Sequence, residues 1–276
     1  MAKKNTDPST SGATADREQV DGVSRLLVLV KMRRILDAFT PARPELSASE
    51  ISVAAGLPAS TTTRFIRNLE YDGLLERVGD RYRIGLAVVR WAGTALRGRD
   101  LVDIAGPVLT WLRDETGESV QLCVREGRFA VIINAASSFH SVARQMRIGE
   151  VNYLHAGATG KIFLAFDPGA MTALGTGPLE AFTSRTITDH EKLLASVAEV
   201  RAQGYAVTAE ERNDGAVGIS APVFDAARRL AGSIGISGPT SRMTPAMVEA
   251  QVPLVVEAGR RLSESLGTGS IASIIQ

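Results

Sequence analysis

The order of short elements between residues 47 and 84 constrains the fold more than any other feature of the sequence. Ser47 and Glu50 match a capping box. In this motif the serine hydroxyl accepts a hydrogen bond from the glutamate amide, and the glutamate carboxylate accepts one from the serine amide. The short helix that begins here should end at Gly56, and a second helix is predicted from about Ala59 to Asp72. Two short helices joined by a tight glycine-containing turn are typical of a helix-turn-helix.

A basic hairpin is predicted directly after the second helix. Leu74–Val78 and Arg81–Ile84 are strand-like and flank a turn at Gly79 and Asp80. Upstream, apolar residues recur at helical spacing from Val23 to Phe39 and predict a further amphipathic helix. The whole order predicts a winged helix-turn-helix, a fold whose second helix enters the major groove of DNA.

Hydroxyl and guanidinium side chains lie on the predicted outer face of the second helix and on the hairpin. Hydroxyls and helix N-termini bond phosphates, and a guanidinium grips phosphate or forks onto guanine. We assign base reading to Thr63, Arg64 and Arg67, and phosphate contact to Ser60 and Thr61. The full set of predicted DNA contacts is Lys31, Ser47, Ser60, Thr61, Thr63, Arg64, Arg67, Arg77, Arg81 and Arg83.

Length, charge and composition agree with a cytoplasmic protein of two domains. The 276 residues are 45% hydrophobic, and neither a signal peptide nor a membrane span is expected. Residues 1–98 carry 15 Lys and Arg against 11 Asp and Glu, whereas residues 99–276 carry 16 against 19. The half with the predicted DNA contacts is therefore the basic one. Residues 1–20 have almost nothing to bury and predict a flexible tail.

The remainder of the chain is predicted to be an α+β sensor domain. Residues 21–85 form the DNA-binding domain, 86–98 a linker helix, 99–267 the sensor and 268–276 a loose tail. Sensor strands are predicted at residues 119–125, 129–135, 141–147, 205–208, 216–224 and 231–237, and helices at 101–116, 155–166, 189–203 and 245–266. A meander of strands with helices outside favours this class over a parallel sheet.

Several segments in the same order resemble the IclR family of bacterial regulators, from about Val23 to Leu266. They are Leu57–Arg64, Asp80–Gly85, Leu154–Lys161, Gly204–Ala206 with Glu210 and Glu211, Ile219–Asp225, and Ile236–Pro239. The resemblance implies a winged helix-turn-helix joined to a GAF-like effector-binding domain. It also implies dimers or dimers of dimers on palindromic operator DNA, with small organic acids or aromatic catabolic intermediates as effectors and no cofactor.

The resemblance further implies an effector pocket in the sensor. Its predicted contacts are Met146, Ile148, Gly157, Ala158, Thr159, Thr208, Gly218, Ser220, Gly235 and Ser237. Small residues at a helix start, such as Gly157, leave amides open to an anion. The family often has Asp, Cys and Ser where this chain has Thr208, Gly218 and Gly235. We therefore expect a larger and less polar pocket, and an aromatic acid or its neutral derivative as effector.

Two alternatives, an activator and a ligand-independent DNA-binding protein, stay open beside the expected repressor of a catabolic operon. Activation depends on promoter position, and a ligand-independent protein would not discriminate operator from random DNA. An enzyme is not expected, because Ser220 lacks a nucleophile-elbow setting and the adjacent Glu210 and Glu211 cannot face one site. A metal site is not expected either. His140, His155 and His190 have no metal-like spacing with each other or with Cys123, which we interpret as a packed residue.

Overall fold

The computed structural model describes residues 17–20, 23–40, 42–96 and 100–272, which divide between Thr94 and Ala95 into two compact units. Each unit has its own hydrophobic core. None of the helices in these ranges combines the length and the apolar character that crossing a membrane requires.

The first unit is a winged helix-turn-helix, as predicted. Its helices are α1 (Leu27–Leu36), α2 (Ala48–Ala55) and α3 (Ala59–Tyr71), and its strands are β1 (Arg17–Val20), β2 (Val23–Leu26), β3 (Glu45–Ser47), β4 (Leu75–Val78) and β5 (Arg81–Ile84). The strands β3, β5 and β4 form an antiparallel sheet in that order. Ile35, Ile51, Ile66 and Leu75 bring the three helices and the wing together in one core.

The amino-terminal part of this unit differs from the sequence expectations. Arg17–Val20 pairs antiparallel with Val23–Leu26, so the flexible tail predicted over residues 1–20 is wrong for its last four residues. Residues 1–16 lie outside the described ranges. The helix predicted from Val23 begins only at Leu27, because the first four residues of that amphipathic stretch pair as a strand.

The linker helix predicted over residues 86–98 corresponds to α4 (Leu86–Leu96). Residues 97–99 lie outside the described ranges, and the description resumes at Asp100.

The second unit is an antiparallel six-stranded sheet between two layers of helices. Its elements are α5 (Asp100–Thr116), β6 (Ser119–Glu126), β7 (Phe129–Ala136), β8 (Val151–Tyr153), α6 (Ala158–Phe166), α7 (Ala170–Leu174), α8 (His190–Gln203), β9 (Ala206–Ala209), β10 (Ala216–Phe224), β11 (Leu230–Pro239) and α9 (Pro245–Ala272). The strand order is β8-β7-β6-β11-β10-β9. Helices α5 and α9 cover one face, and α6, α7 and α8 belong to the core on the other. This arrangement confirms the α+β class.

Residues 141–147 are not a strand, and that prediction was wrong. The alternation that suggested a strand lies in a coil, and the third strand of the second unit is β8. Side-chain bonds hold the coil instead of a ladder: Ser138 Oγ donates to the Gly117 carbonyl at 2.5 Å, and Arg144 pairs with Glu150 at 3.0 Å.

Two helix boundaries also shift. The helix predicted from His155 begins at Ala158, because Gly157 has a φ of 99° that interrupts helical geometry. The tail predicted over residues 268–276 is wrong for 268–272, where α9 continues to Ala272. A single glycine costs about 1 kcal/mol in a helix, so Gly267 does not end it. Residues 273–276 lie outside the described ranges.

Candidate functional site

The turn between α2 and α3 is built by local hydrogen bonds. The Ser47 hydroxyl accepts from the Glu50 amide at 3.3 Å, and the Glu50 carboxylate accepts from the Ser47 amide at 2.8 Å, which confirms the capping box. Gly56 closes α2 in the left-handed region. Helix α3 follows Pro58 without a side-chain cap, so its first-turn amides point outward unpaired. An open helix start of this kind suits a DNA phosphate.

The outer face of α3 carries the side chains that the sequence assigned to DNA. Ser60, Thr63, Arg64 and Arg67 are exposed. Within the described residues, neither arginine has a side-chain partner, so both guanidinium groups are available to phosphate or guanine. Thr61 is half-buried at the edge of this face, and Lys31 is half-buried on α1.

The three arginines of the wing are already engaged within the protein. Arg81 lies 2.7 Å from the Glu50 carboxylate and donates to the Glu45 carbonyl. Arg83 makes a two-pronged pair with Glu76 at 2.9 and 3.1 Å, and this hydrogen bonding holds the pKa of the Glu76 carboxyl below its ordinary value.

Arg77 donates from Nε to the Gly79 carbonyl at 3.0 Å and lies over the Tyr82 ring. The contacts of all three arginines lie at the protein surface, where water and salt screen charges. A DNA phosphate could therefore displace them, and the wing contacts stay a prediction.

A second site is a cavity of about 40 Å³ between the amino end of α6 and the sheet. It brings together seven of the ten predicted effector contacts: Gly157, Ala158, Thr159, Thr208, Gly218, Ser220 and Ser237. The wall also includes polar residues that the sequence reasoning missed: Gln121, Arg144, Asn152, Glu211, Arg212 and Asn213.

Three predicted contacts lie elsewhere. Met146 is buried in the core beside α6, and Ile148 is 61% exposed on the coil. Gly235 faces Ser220 across the β10–β11 ladder, and a β-carbon at position 235 would overlap the Ser220 hydroxyl. The small residue there makes room for Ser220 and does not widen the cavity.

A chain of neutral polar groups forms one side of the cavity. Gln121 donates to the Thr159 hydroxyl at 2.9 Å, and Thr159 and Ser220 share a hydrogen bond of 3.0 Å. Thr208 and Ser237 are each only 6% exposed and line the same cavity. Their hydroxyls have no hydrogen-bond partner among the described residues. Neither oxygen atom is shut off completely from the cavity, so both can bond a ligand or water there.

A buried ion pair fixes the start of α6 beside the cavity. Lys161 Nζ lies 2.5 Å from Glu211 Oε1, and the same carboxylate accepts from the Gly157 amide at 3.3 Å. One of the amides that we assigned to an anion is thus already occupied, and those of Ala158 and Thr159 begin the helix. Gly160 is required here because a β-carbon would overlap the Tyr153 and Leu154 carbonyl oxygens.

Two arginines give the cavity a cationic wall. Arg144 is paired with Glu150, whereas the Arg212 guanidinium lies over the Tyr153 and Phe182 rings at 4.9 and 4.2 Å. Burial lowers the pKa of Arg212. The expectation of a larger and less polar pocket compares this chain with its relatives and stays a prediction, but the wall of this cavity contains two cations. Arg144 was hidden in the segment interpreted as a strand, and no local pattern marked Arg212.

His155 and Cys123 are both buried and make contacts typical of residues with a structural role. A ring nitrogen of His155 lies 2.8 Å from the Glu180 carbonyl, a hydrogen bond to the backbone. Burial raises the pKa of the Cys123 thiol to about 12, consistent with a packed residue.

Comparison with known proteins identifies a family for both units. The model of the IclR helix-turn-helix domain matches residues 28–79, and that of the bacterial transcriptional regulator IclR C-terminal domain matches residues 93–264. The chain is 33% identical to the HTH-type transcriptional regulator BhcR of Paracoccus denitrificans over 79% of its length and 80% of that protein. It is 29% identical to the transcriptional repressor IclR of Escherichia coli over 96% and 97%.

A solved structure extends this likeness to a ligand complex. The IclR homologue of Microbacterium hydrocarbonoxydans, complexed with 4-hydroxybenzoate, superimposes with a TM-score of 0.71 at 26% identity, covering 87% of this chain and 98% of that one. With both family models matching in order, the chain belongs to the IclR family of bacterial transcriptional regulators, a family of DNA-binding proteins and not of enzymes.

Proposed function

We propose that this regulator is a repressor whose affinity for operator DNA is set by a small organic acid bound in the cavity. The observation that carries the proposal is the occurrence, in one chain, of an exposed recognition face on α3 and a polar cavity beside the α6 start. Repression is supported by the repressor named among the relatives. A catabolic operon as its target stays a prediction.

The proposed assembly is a homodimer or a homotetramer on a palindromic site. Two α3 helices must reach half-sites about 34–36 Å apart, or a multiple of that spacing. An acid that binds one arrangement of the two subunits better than another shifts operator affinity by its difference in affinity for the two arrangements.

The cavity volume favours a short acid over the aromatic effector expected from sequence. A cavity of about 150 Å³ holds benzene, whereas about 40 Å³ holds a few waters. An aromatic acid is the second candidate, since a homologue is complexed with 4-hydroxybenzoate. It requires the cavity wall to move outward.

The test starts from a duplex that the wild-type protein enriches from random DNA. Arg64→Ala should remove specific binding to this duplex, because a guanidinium forked onto guanine supplies about 1–3 kcal/mol of discrimination. Arg128→Ala, an exposed arginine of the second unit, is the matched control and should bind like wild type. Retained specific affinity in Arg64→Ala would refute the assignment, and failure to enrich any sequence would favour a ligand-independent DNA-binding protein.

A further inference from the structure

One half-buried cation of the second unit has no carboxylate partner. Within the described part of the unit, every other cation that is buried or half-buried lies within 3.0 Å of a carboxylate. The pairs are Arg113 with Asp114, Arg125 with Asp167, Arg144 with Glu150, Lys161 with Glu211 and Arg242 with Glu118. For Arg212, no carboxylate of the described residues lies within 4.0 Å. Arg212, the exception among these cations, lines the cavity.

The guanidinium of Arg212 is held in place without being neutralised. Its central carbon lies 4.2 Å from the Phe182 ring centroid and 4.9 Å from that of Tyr153, so the group is braced on two aromatic faces. Its Nε is buried and has no hydrogen-bond acceptor in the described chain. A buried donor or charge without a partner costs free energy that the folded protein does not recover by itself.

The surroundings of Arg212 point to an anion as the missing partner. Its β-carbon lies 3.8 Å from the position that a β-carbon on Gly157 would take, which places the residue beside the start of α6. Thr208 and Ser237 present unpaired hydroxyls to the same cavity. A planar guanidinium, helix-start amides and hydroxyl donors together match a carboxylate, which accepts several hydrogen bonds and pairs with arginine in a two-pronged geometry.

We propose that Arg212 is the counter-ion of the effector carboxylate and the residue by which the cavity selects acids over their neutral amides. This inference rests on the proposed function, because it assigns a role within the same cavity. The competing role for Arg212 is a structural brace on Tyr153 and Phe182. The two roles predict opposite effects of removing the charge from the ligand-free protein.

The test uses the full-length protein, with acetate as the probe because it is among the smallest carboxylates. Thermal unfolding is measured with sodium acetate, with acetamide and with sodium chloride at matched ionic strength. Wild type should gain roughly 3–6 °C in Tm at about ten times the dissociation constant of acetate, and neither control should reproduce the gain. Arg212→Met should lose the acetate-specific gain while its ligand-free Tm stays level or rises. Arg128→Met, an exposed control, should respond like wild type.

Three outcomes would overturn the proposal. They are a wild-type protein that acetate stabilises no more than chloride, an Arg212→Met variant that keeps the difference between acetate and acetamide, and an Arg212→Met variant that unfolds well below wild type without ligand. Operator affinity is measured separately. If stabilisation by acetate depends on Arg212 but no acid alters operator affinity, the carboxylate site is supported. The proposed control of DNA binding by an effector is then refuted.

Discussion

The buried pair of Lys161 and Glu211 gives the sharpest stability prediction for the sensor. The two side chains are only 4% and 12% exposed, and Nζ and Oε1 lie 2.5 Å apart. Lys161→Met keeps most of the side-chain volume but leaves the Glu211 carboxylate buried without its cation. That carboxylate also accepts from the Gly157 amide, so the perturbation acts directly on the start of α6.

The expected cost is large because both groups are shielded from water. Breaking a buried pair by removing one partner costs about 3–5 kcal/mol. In a unit of this size 1 kcal/mol corresponds to roughly 2–4 °C, so Lys161→Met should lower the Tm by roughly 6–20 °C. Lys161→Met combined with Glu211→Leu should recover most of this loss, since no uncompensated charge remains. The double variant still loses the bond to Gly157, which is worth about 1 kcal/mol.

Urea unfolding of wild type, both single variants and the double variant yields the coupling energy between the two residues. Arg229→Met is the matched control, because its pair with Asp225 is exposed and should contribute less than about 1 kcal/mol. Two results would show that the pair does not hold the α6 start. One is a Lys161→Met variant whose free energy of unfolding falls by less than about 1 kcal/mol, and the other is a double variant less stable than Lys161→Met.

Two further variants test the geometry of each site. Gly160→Ala should destabilise the second unit and abolish the response to acetate, because its β-carbon meets backbone oxygen atoms that cannot move independently. Thermal unfolding with and without acetate measures both effects. Ser47→Ala should cost about 1 kcal/mol in urea unfolding through loss of the α2 cap, and should weaken binding to all duplexes alike if Ser47 also contacts phosphate.

Each of these variants has a control on a neighbouring position. Gly218→Ala places its β-carbon 3.7 Å from its nearest neighbours, so it should fold like wild type while filling part of the cavity. Ser49→Ala removes a hydroxyl near the cap that accepts no capping bond. Equal losses of stability for Gly160→Ala and Gly218→Ala, or for Ser47→Ala and Ser49→Ala, would contradict the stated reasons.

Features set by nearby residues could be predicted from the sequence. The Ser47–Glu50 capping box, the left-handed Gly56 and the outer face of α3 depend on contacts within a few residues, and the structure has them as predicted. Residues 23–26 and 141–147 were misassigned for the opposite reason. Pairing with Arg17–Val20 overrides helical spacing in the first, and in the second the distant Arg242 donates to the Val142 carbonyl at 2.8 Å.

The cavity could be located from the sequence, but its character could not. Its glycines and hydroxyls lie within motifs, whereas Arg144 and Arg212 enter from two loops far apart in the chain. Treating Gly235 as a missing side chain suggested extra room, yet the Ser220 side chain lies against it across the ladder. The size and charge of a pocket depend on such tertiary contacts.

Control of DNA binding by an effector can be measured as the affinity for an enriched operator duplex. Fluorescence anisotropy at fixed salt, with and without candidate acids, gives this affinity. Fixed salt is essential because phosphate contacts make every affinity salt-dependent. We predict that one acid weakens operator binding at least about tenfold, a coupling of about 1.4 kcal/mol, while binding to random DNA is unchanged. Operator affinity that no short or aromatic acid alters, or an acid that weakens random and operator DNA equally, would contradict the account.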